Sequence, residues 1–470
     1  MTHNPLSNTN IEFFKTLLGK KYVLIEQGDI APYIEEPRKI YSAQSPCVLR
    51  PANTEQVSKI MQHAYAHNLA IVPQGGNTGL VGAQVPKTGS EIILSLSRLN
   101  GDIKISKLTQ SLTCGAGNTL AQVQLAADQA DLLFPLSLAS EGSCQIGGNI
   151  ASNAGGTGVL KYGNMRDLVL GLEVVMADGQ IWDGLKVLRK DNTGYDLKHL
   201  FIGSEGTLGI VTQATLKLYA KPQNTSIAFC AINHPKDAVN LLSLVQKNSD
   251  NQVTAFEIIP QIGIDYVLKH GHDARFPLGD KSPWYILLEL SADEDKLIEI
   301  LEKAFEAEFV TDAAIAQNKS QANEFWYLRH MLSEVQSLEG GSIKHDISVA
   351  VADIPEFLSK AAIIVEATIQ NARPVPFGHI GDGTLHNNVS QPVGMDKQEF
   401  LDQWSKLADK VHALVLELNG SISAEHGIGQ MKFGAMSKIK SPIELNMMRQ
   451  IKQQFDPKNI LNPSKTVPLC

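Results

Sequence analysis

The 470-residue sequence has five cysteines, Cys47, Cys114, Cys144, Cys230 and Cys470, and no CxxC pair among them. That scatter excludes a four-cysteine iron–sulfur cluster in any usual spacing and argues against a disulfide framework. Redox work would need a different cofactor. Long apolar runs are also missing: none approaches the roughly 20 residues that span a bilayer. The first ten residues, MTHNPLSNTN, lack both an apolar h-region and an Arg-rich amphipathic pattern. From them we expect a chain mature from its start and cytoplasmic, with a peripheral place at the inner membrane as the alternative. A basic excess is absent, since the net charge is -8, which argues against nucleic acid as a partner. There is no GxGxxG or Walker loop, so a nicotinamide Rossmann site or P-loop is disfavoured. No internal repeat or low-complexity tract interrupts the chain. With 43% hydrophobic residues over 470 positions, it can build two or three packed domains.

Glycine is plentiful, and its placement is the first positive signal. The strand expected at Ala70-Ile71-Val72 runs into PQGGNTGLVGAQVP, where Gly75, Gly76, Gly79 and Gly82 free backbone N–H groups to turn toward an anion. A second belt, SEGSCQIGGNIASNAGGTGVLKYG from Ser140 to Gly163, is poor material for a helix or a strand core. It suits backbone closely approaching a flat, extended ligand. A third patch, GSEGTLGIVT, opens the strand near residue 210. Three such loops on one strand-rich α+β domain describe a site of dinucleotide size. Plain glycine turns are the competing reading for each loop alone. Before the first loop, Asn53 and Gln56 mark a helix start, with Val57, Ile60, Met61 and Ala64 on one face. Order is expected from Cys47, after a turn-rich lead-in holding one helix over residues 11–18.

The stretch VPFGHIGDGTLHNNV, residues 375–389, reads as two short strands joined through Gly381-Asp382-Gly383, holding His379 and His386 close together. Further on, SAEHGIGQMK sets Glu425 beside His426. Two histidines and a carboxylate with open positions form a catalytic metal set, leaving His426 as a base. Hydrogen-bonded turn chemistry is the alternative.

PQGGNTGLVGA, SEGSCQIGGNIASNAGG, LGLEVVMADGQIW, DNTGYDLKHLFIGSEGTLGIVT, PFGHIGDGTLHNNV, SAEHGIGQMK and FDPKNILNPSK together resemble the FAD-linked D-2-hydroxyacid dehydrogenases. These belong to the vanillyl-alcohol oxidase / p-cresol methylhydroxylase flavoproteins. The resemblance runs from about Ala43 onward. It implies an α+β protein: a lead-in over 1–42, a two-subdomain FAD-binding (PCMH-type) domain over 43–222, an α+β substrate cap over 223–420, and a helical C-terminal segment over 421–470 that returns to the flavin. FAD would be held by Pro73, Gly75, Gly76, Asn77, Thr78, Gly79, Ser140, Gly142, Gly147, Gly148, Asn149, Asn153, Gly155, Gly156, Glu205, Gly206 and Ile210. Many relatives attach the flavin through a histidine in the first loop; Asn77 stands there, implying a non-covalent cofactor.

The segment NEFWYLRHMLSEVQSLEGGSIKHDISVAV places Arg329 and Ser333 four apart on an expected helix, with Lys344, Asp346 and Ser348 on one side of a strand. Guanidinium, ammonium and hydroxyl make a carboxylate clamp; a solvated charged surface is the plain alternative. In D-2-hydroxyglutarate dehydrogenases an Arg, a Thr and a Lys at this spacing hold the distal carboxylate, and Ser333 replaces the Thr. Asn388 resembles the family's substrate-binding Asn. The resemblance thus implies oxidation of D-2-hydroxyglutarate to 2-oxoglutarate, with D-lactate, glycolate or D-malate as alternative substrates. A metal, zinc or else Mn or Fe, would sit on His379, His386 and Glu425. The electron acceptor would be an electron-transferring flavoprotein or a quinone, and family habit favours a homodimer. A non-catalytic flavin electron-transfer subunit is the far alternative.

Overall fold

The computed structural model describes residues 3–469. It divides into two compact units. The first holds the residues up to Gly156, Gly163–Lys221 and Glu425 onward; the second holds Thr157–Tyr162 and Pro222–Ala424.

Among the described residues the first unit carries two larger sheets and a two-stranded ribbon that pairs Tyr219–Ala220 with Leu132–Leu133. One runs in the order Val23–Leu24, Val48–Leu49, Ile92–Ser95, Ile71–Gln74, the last three strands parallel. Parallel strands need a crossover, here the helix Thr54–His67. Asn53 caps that helix by accepting from the Gln56 N–H, and Asn68 closes it in the left-handed region at φ 51°. Its expected face, Val57, Ile60, Met61 and Ala64, is buried against Ile71 and Leu94. The second sheet is antiparallel, in the order Lys104–Ser106, Ser111–Gly115, Ile210–Lys217, Val169–Val175, Ile181–Gly184.

Order begins well before Cys47. The helix Asn8–Leu18 buries Phe14 and Leu18 in the core beside Ile60. A further helix, Gln27–Ile34, contains Pro32 and is held through Ile30, which packs on Val48 and Ile93. The proline hid it from sequence reading, yet one buried isoleucine against a sheet outweighs a lost helical hydrogen bond.

The second unit is built on an antiparallel sheet in the order Val253–Pro260, Trp284–Leu290, Ser226–Ile232, Asp312–Ile315. All eight residues of Val253–Pro260 are buried, including Glu257. A smaller sheet centres on Thr384–Ser390, with Arg373–Phe377 along one edge and Ser342–Ile343, then Asp346–Ser348, along the other. Two expectations are corrected here. The strand through Lys344 is broken into two short pieces, with Lys344 and His345 between them. The helix expected to carry both Arg329 and Ser333 ends at His330 and restarts at Leu332.

Candidate active site

In the first unit the glycine loops line one cleft, which encloses about 910 Å³ of space including open solvent. Twelve of the expected cofactor residues line it: Pro73, Gly75, Gly76, Asn77, Thr78, Gly79, Gly147, Gly148, Asn149, Glu205, Gly206 and Ile210. His426 lines it as well. The first two belts meet at Gly76, where a Cβ would lie 1.9 Å from the Ser143 carbonyl oxygen. No side chain fits there. At Gly148 the same atom would meet nothing within 4 Å, so backbone is laid bare on the cleft wall.

Three buried amide oxygens on the lining, Asn77 Oδ1, Gln84 Oε1 and Gln145 Oε1, have no hydrogen-bond partner among the described residues. Buried acceptors are rarely left so, and a ligand rich in N–H and hydroxyl donors fits them. Asn77, at φ 56°, gives its amide N–H₂ to the carbonyls of Pro32 (3.2 Å) and Glu35 (2.6 Å). It thereby ties the loop to the C-terminal end of the helix Gln27–Ile34. Gln84 and Gln145 were not foreseen, because amides in a glycine-rich stretch read as turn residues.

Five expected cofactor residues, Ser140, Gly142, Asn153, Gly155 and Gly156, are not on the lining. Ser140 closes a turn by accepting from the N–H groups of Ser143 and Cys144. The Asn153 side chain accepts from the Arg166 N–H at 2.9 Å, and the Gly156 N–H donates to Glu425 Oε1 at 3.0 Å. These residues shape the belt rather than its exposed wall.

Glu205 also lines the cleft, but its carboxylate serves the C-terminal segment. It accepts from the N–H groups of Ile428 (2.6 Å) and Gly429 (2.9 Å) and from the Thr466 hydroxyl. Burial pushes its carboxyl above the usual range, against the pull of those donors. Gly427 is required beside it: its φ is +83°, and a Cβ would lie 2.0 Å from Glu205 Oε1. The closing motif completes the clasp. Asn462 Nδ2 donates to the carbonyls of Ala83 and Glu205, while Lys465 Nζ donates to Ala83, Val85 and Asn462 Oδ1. Burial pushes Lys465 down to about 7.

In the second unit, the expected hairpin is present. Phe377 pairs with His386, and His379 opens a single 3₁₀ turn, Ile380–Asp382, ending at Gly383. The two imidazoles stand 5.7 Å apart, centre to centre, and nearly perpendicular. Asp346 lies opposite His386 in the sheet register, with ligand atoms within 4.8 Å of each other. This carboxylate was not foreseen as a ligand. Ser348 pairs with Ser421, which fixes the chain a few residues before Glu425. In the first unit Glu425 and His426 likewise offer ligand atoms within 4.8 Å.

Glu257 is a further residue that sequence reading missed. It is 0% exposed. Its Oε1 meets His379 Nδ1 at 2.6 Å and its Oε2 accepts from Arg329 Nε at 2.7 Å. Burial alone would raise its carboxyl, but His379 and Arg329 hold it down at about 2. A charged residue in the otherwise uncharged strand VTAFEIIP was the available signal. Arg329 is 6% exposed, and its guanidinium packs 4.9 Å from the Phe377 ring centre. Among the described residues, Glu257 is its one hydrogen-bond partner, leaving both terminal nitrogens unused. Lys344 Nζ lies 3.5 Å from the Ser333 carbonyl, and Asn388 Nδ2 donates to Gln336 Oε1 at 2.8 Å.

Comparison with known proteins bears directly on this arrangement. Residues 45–184 match the family described as FAD binding domain, and residues 221–466 match FAD linked oxidases, C-terminal domain. A D-2-hydroxyglutarate dehydrogenase of Stutzerimonas stutzeri is 37% identical, with 97% of this chain and 98% of the relative covered. The chain belongs to the FAD-linked D-2-hydroxyacid dehydrogenases. It is an FAD-linked oxidoreductase. A D-2-hydroxyglutarate dehydrogenase of Arabidopsis thaliana, described as mitochondrial, is 36% identical over 99% of this chain and 82% of the relative. A D-2-hydroxyglutarate–pyruvate transhydrogenase of Saccharomyces cerevisiae is 35% identical, covering 98% and 95%. The fold is that of p-cresol methylhydroxylase, whose substrate-bound crystal structure superposes with a TM-score of 0.77 at 17% identity, over 98% of this chain and 97% of that one.

One expectation is overturned. Relatives of this dehydrogenase from Arabidopsis thaliana, Rattus norvegicus and Danio rerio are described as mitochondrial, which conflicts with the cytoplasmic placement drawn from ten N-terminal residues. Those residues report only their own polarity, and a folded body does not encode its compartment. Among the described residues no helix is long and apolar enough to cross a membrane.

Proposed function

We propose that this dehydrogenase oxidises D-2-hydroxyglutarate to 2-oxoglutarate. The observation that carries the substrate is Arg329: a buried guanidinium whose Nε is held by Glu257 while its terminal nitrogens have no acceptor in the described protein. A second carboxylate on the substrate satisfies that fork, and Lys344 adds a point charge. Ser333 supplies a hydroxyl to the same clamp, and Asn388 orients the substrate. The names of the relatives agree with this choice.

FAD, held non-covalently in the glycine-lined cleft, supplies the two-electron acceptor, and a divalent metal on His379, His386 and Glu425 supplies Lewis acidity toward a 2-hydroxy acid. Zinc is the first choice of metal, with manganese or iron as alternatives. The donor types suit it: with Nδ1–H given to Glu257, a neutral His379 has its lone pair on Nε2, and Asp346 adds a carboxylate next to His386, while the ligand atoms found within 4.8 Å of one another belong to Asp346 with His386 and to Glu425 with His426 and do not include those of His379. His426, on the wall of the flavin cleft, takes the hydroxyl proton as general base, since an imidazole titrates near working pH. Electrons then pass to an electron-transferring flavoprotein or a quinone. The name of the yeast relative favours a second reading, a 2-oxo acid such as pyruvate as acceptor.

The test is anaerobic. Purified yellow protein is mixed with D-2-hydroxyglutarate, D-lactate, D-malate or glycolate, and bleaching of the flavin band is followed before and after chelation. We expect D-2-hydroxyglutarate to exceed D-lactate by at least about tenfold in kcat/KM, because an unpaired buried charge costs roughly 2–5 kcal/mol. Chelation should abolish bleaching, and zinc or manganese should restore it. Equal turnover of both acids discards the clamp, and bleaching that survives chelation discards the metal. Re-oxidation of the bleached protein by pyruvate decides the second reading.

A further inference from the structure

We infer that Glu257 is a positioning residue that sets the tautomer of His379 and the aim of Arg329 at once. The carboxylate stands at the centre of the buried strand Val253–Pro260, and its two oxygens are divided, one to each partner. An arginine Nε–H can only donate, and a carboxylate can only accept. Oε2 is therefore committed to Arg329, and Oε1 can satisfy His379 only as an acceptor. A neutral His379 must then carry its proton on Nδ1, with its lone pair on Nε2. A carboxylate behind a metal-ligating histidine fixes ring and tautomer in this way. The same carboxylate fixes Nε of Arg329, so the plane of the guanidinium, and with it the direction of the two terminal nitrogens, is set from behind. One residue thus ties a metal ligand to an arm of the carboxylate clamp, although 122 and 72 positions separate it from them in sequence. The catalytic consequence rests on the metal and clamp proposed above; the tautomer does not.

The variant Glu257→Gln keeps the shape and removes one acceptor. Its single amide oxygen goes to Arg329, whose proton is permanent, and its N–H₂ then faces His379. Nδ1 is forced to accept, and the ring proton moves to Nε2, where a metal would bind. The experiment has two readouts on FAD-loaded protein. The first is ¹⁵N-histidine NMR of metal-free protein, with the His379 signal identified by its loss in His379→Gln. We expect the Nδ1–H tautomer in the unmodified chain and Nε2–H in Glu257→Gln. The second is zinc affinity by competition with a chelator, expected to fall about 10- to 100-fold, with flavin content unchanged. Glu257→Asp, which keeps the charge but is one methylene shorter, should retain the Nδ1–H tautomer with a smaller loss, and serves if Glu257→Gln does not fold. An identical His379 tautomer in the unmodified chain and Glu257→Gln, or an Nε2–H tautomer in Glu257→Asp, overturns the proposal. If the unmodified chain binds no zinc yet the tautomer changes as expected, the positioning role stands and the metal reading fails.

Discussion

The two units bind by opposite means. The cleft of the first is made of backbone: glycine belts pressed together, bare N–H groups and a few amides, with its carboxylate, Glu205, spent on holding the C-terminal segment. The site residues of the second are polar side chains, chiefly charged groups and imidazoles, and the hairpin glycines only turn the chain. A backbone site tolerates change in its neighbours but none in its small residues. A side-chain site depends on charge partners, so losing one member strands another.

The largest effect should come from the backbone side. Gly76→Ala puts a Cβ against the Ser143 carbonyl, a clash with main chain that no rotamer relieves. Overpacking of this kind costs about 1–3 kcal/mol or more, and we expect little or no flavin to co-purify. A yellow, full-occupancy variant would break the contrast drawn above.

Next comes the buried pair. Arg329→Ala leaves Glu257 with one partner, and breaking a buried ion pair typically costs about 3–5 kcal/mol. Urea unfolding should show that loss, and kcat/KM for D-2-hydroxyglutarate should fall at least about 100-fold, with most of the preference over D-lactate gone. The double variant Arg329→Leu/Glu257→Leu separates structure from function. Apolar replacement of a buried pair is often neutral, so stability should largely return while activity does not. Recovery of both would reduce Arg329 to a packing residue.

Lys344 is half-buried rather than enclosed, and its loss should be milder. For Lys344→Met we expect about a tenfold rise in KM for D-2-hydroxyglutarate, little change in kcat, and none in KM for D-lactate. A matching rise for both acids would remove it from the clamp.

The smallest effect is a pH dependence. Folded Lys465 is pushed down to about 7 by burial, while an unfolded lysine titrates near 10.4. Between those values the unfolded chain binds one more proton than the folded one, so this group makes stability rise with pH. The cost of burying its charge is fully present below pH 7. The urea midpoint of the native chain relative to Lys465→Met should therefore climb from pH 7 to pH 9. A constant difference would show that Lys465 remains charged, paired through its oxygen cage.

Much of the first unit's cleft could be read from the chain itself, since backbone sites are written in composition. Gly75, Gly76, Gly147 and Gly148 stand in belts that suit no regular element, and all four line the cleft. Five neighbours from the same belts do not, because composition marks a loop without saying which of its residues face outward. Gln84 and Gln145 were lost for the same reason. In the second unit the histidine hairpin was legible because strand, turn and strand lie within fifteen residues, and periodicity and turn chemistry act at that range. The expected helix through Arg329 and Ser333 is interrupted at Met331, and no local signal in the sequence marks that break.

By itself, the sequence determined the local things: where the chain turns on glycine, which residue types can ligate, and which side of the helix Thr54–His67 is buried. Only the tertiary structure decided the partners. Glu257 looked like one acidic residue in an apolar strand, and its meaning came from Arg329 and His379, brought to it from 72 and 122 positions away. Burial is what gives that encounter its force: charges interact weakly in water and strongly where water is excluded, and exclusion is a property of the folded chain.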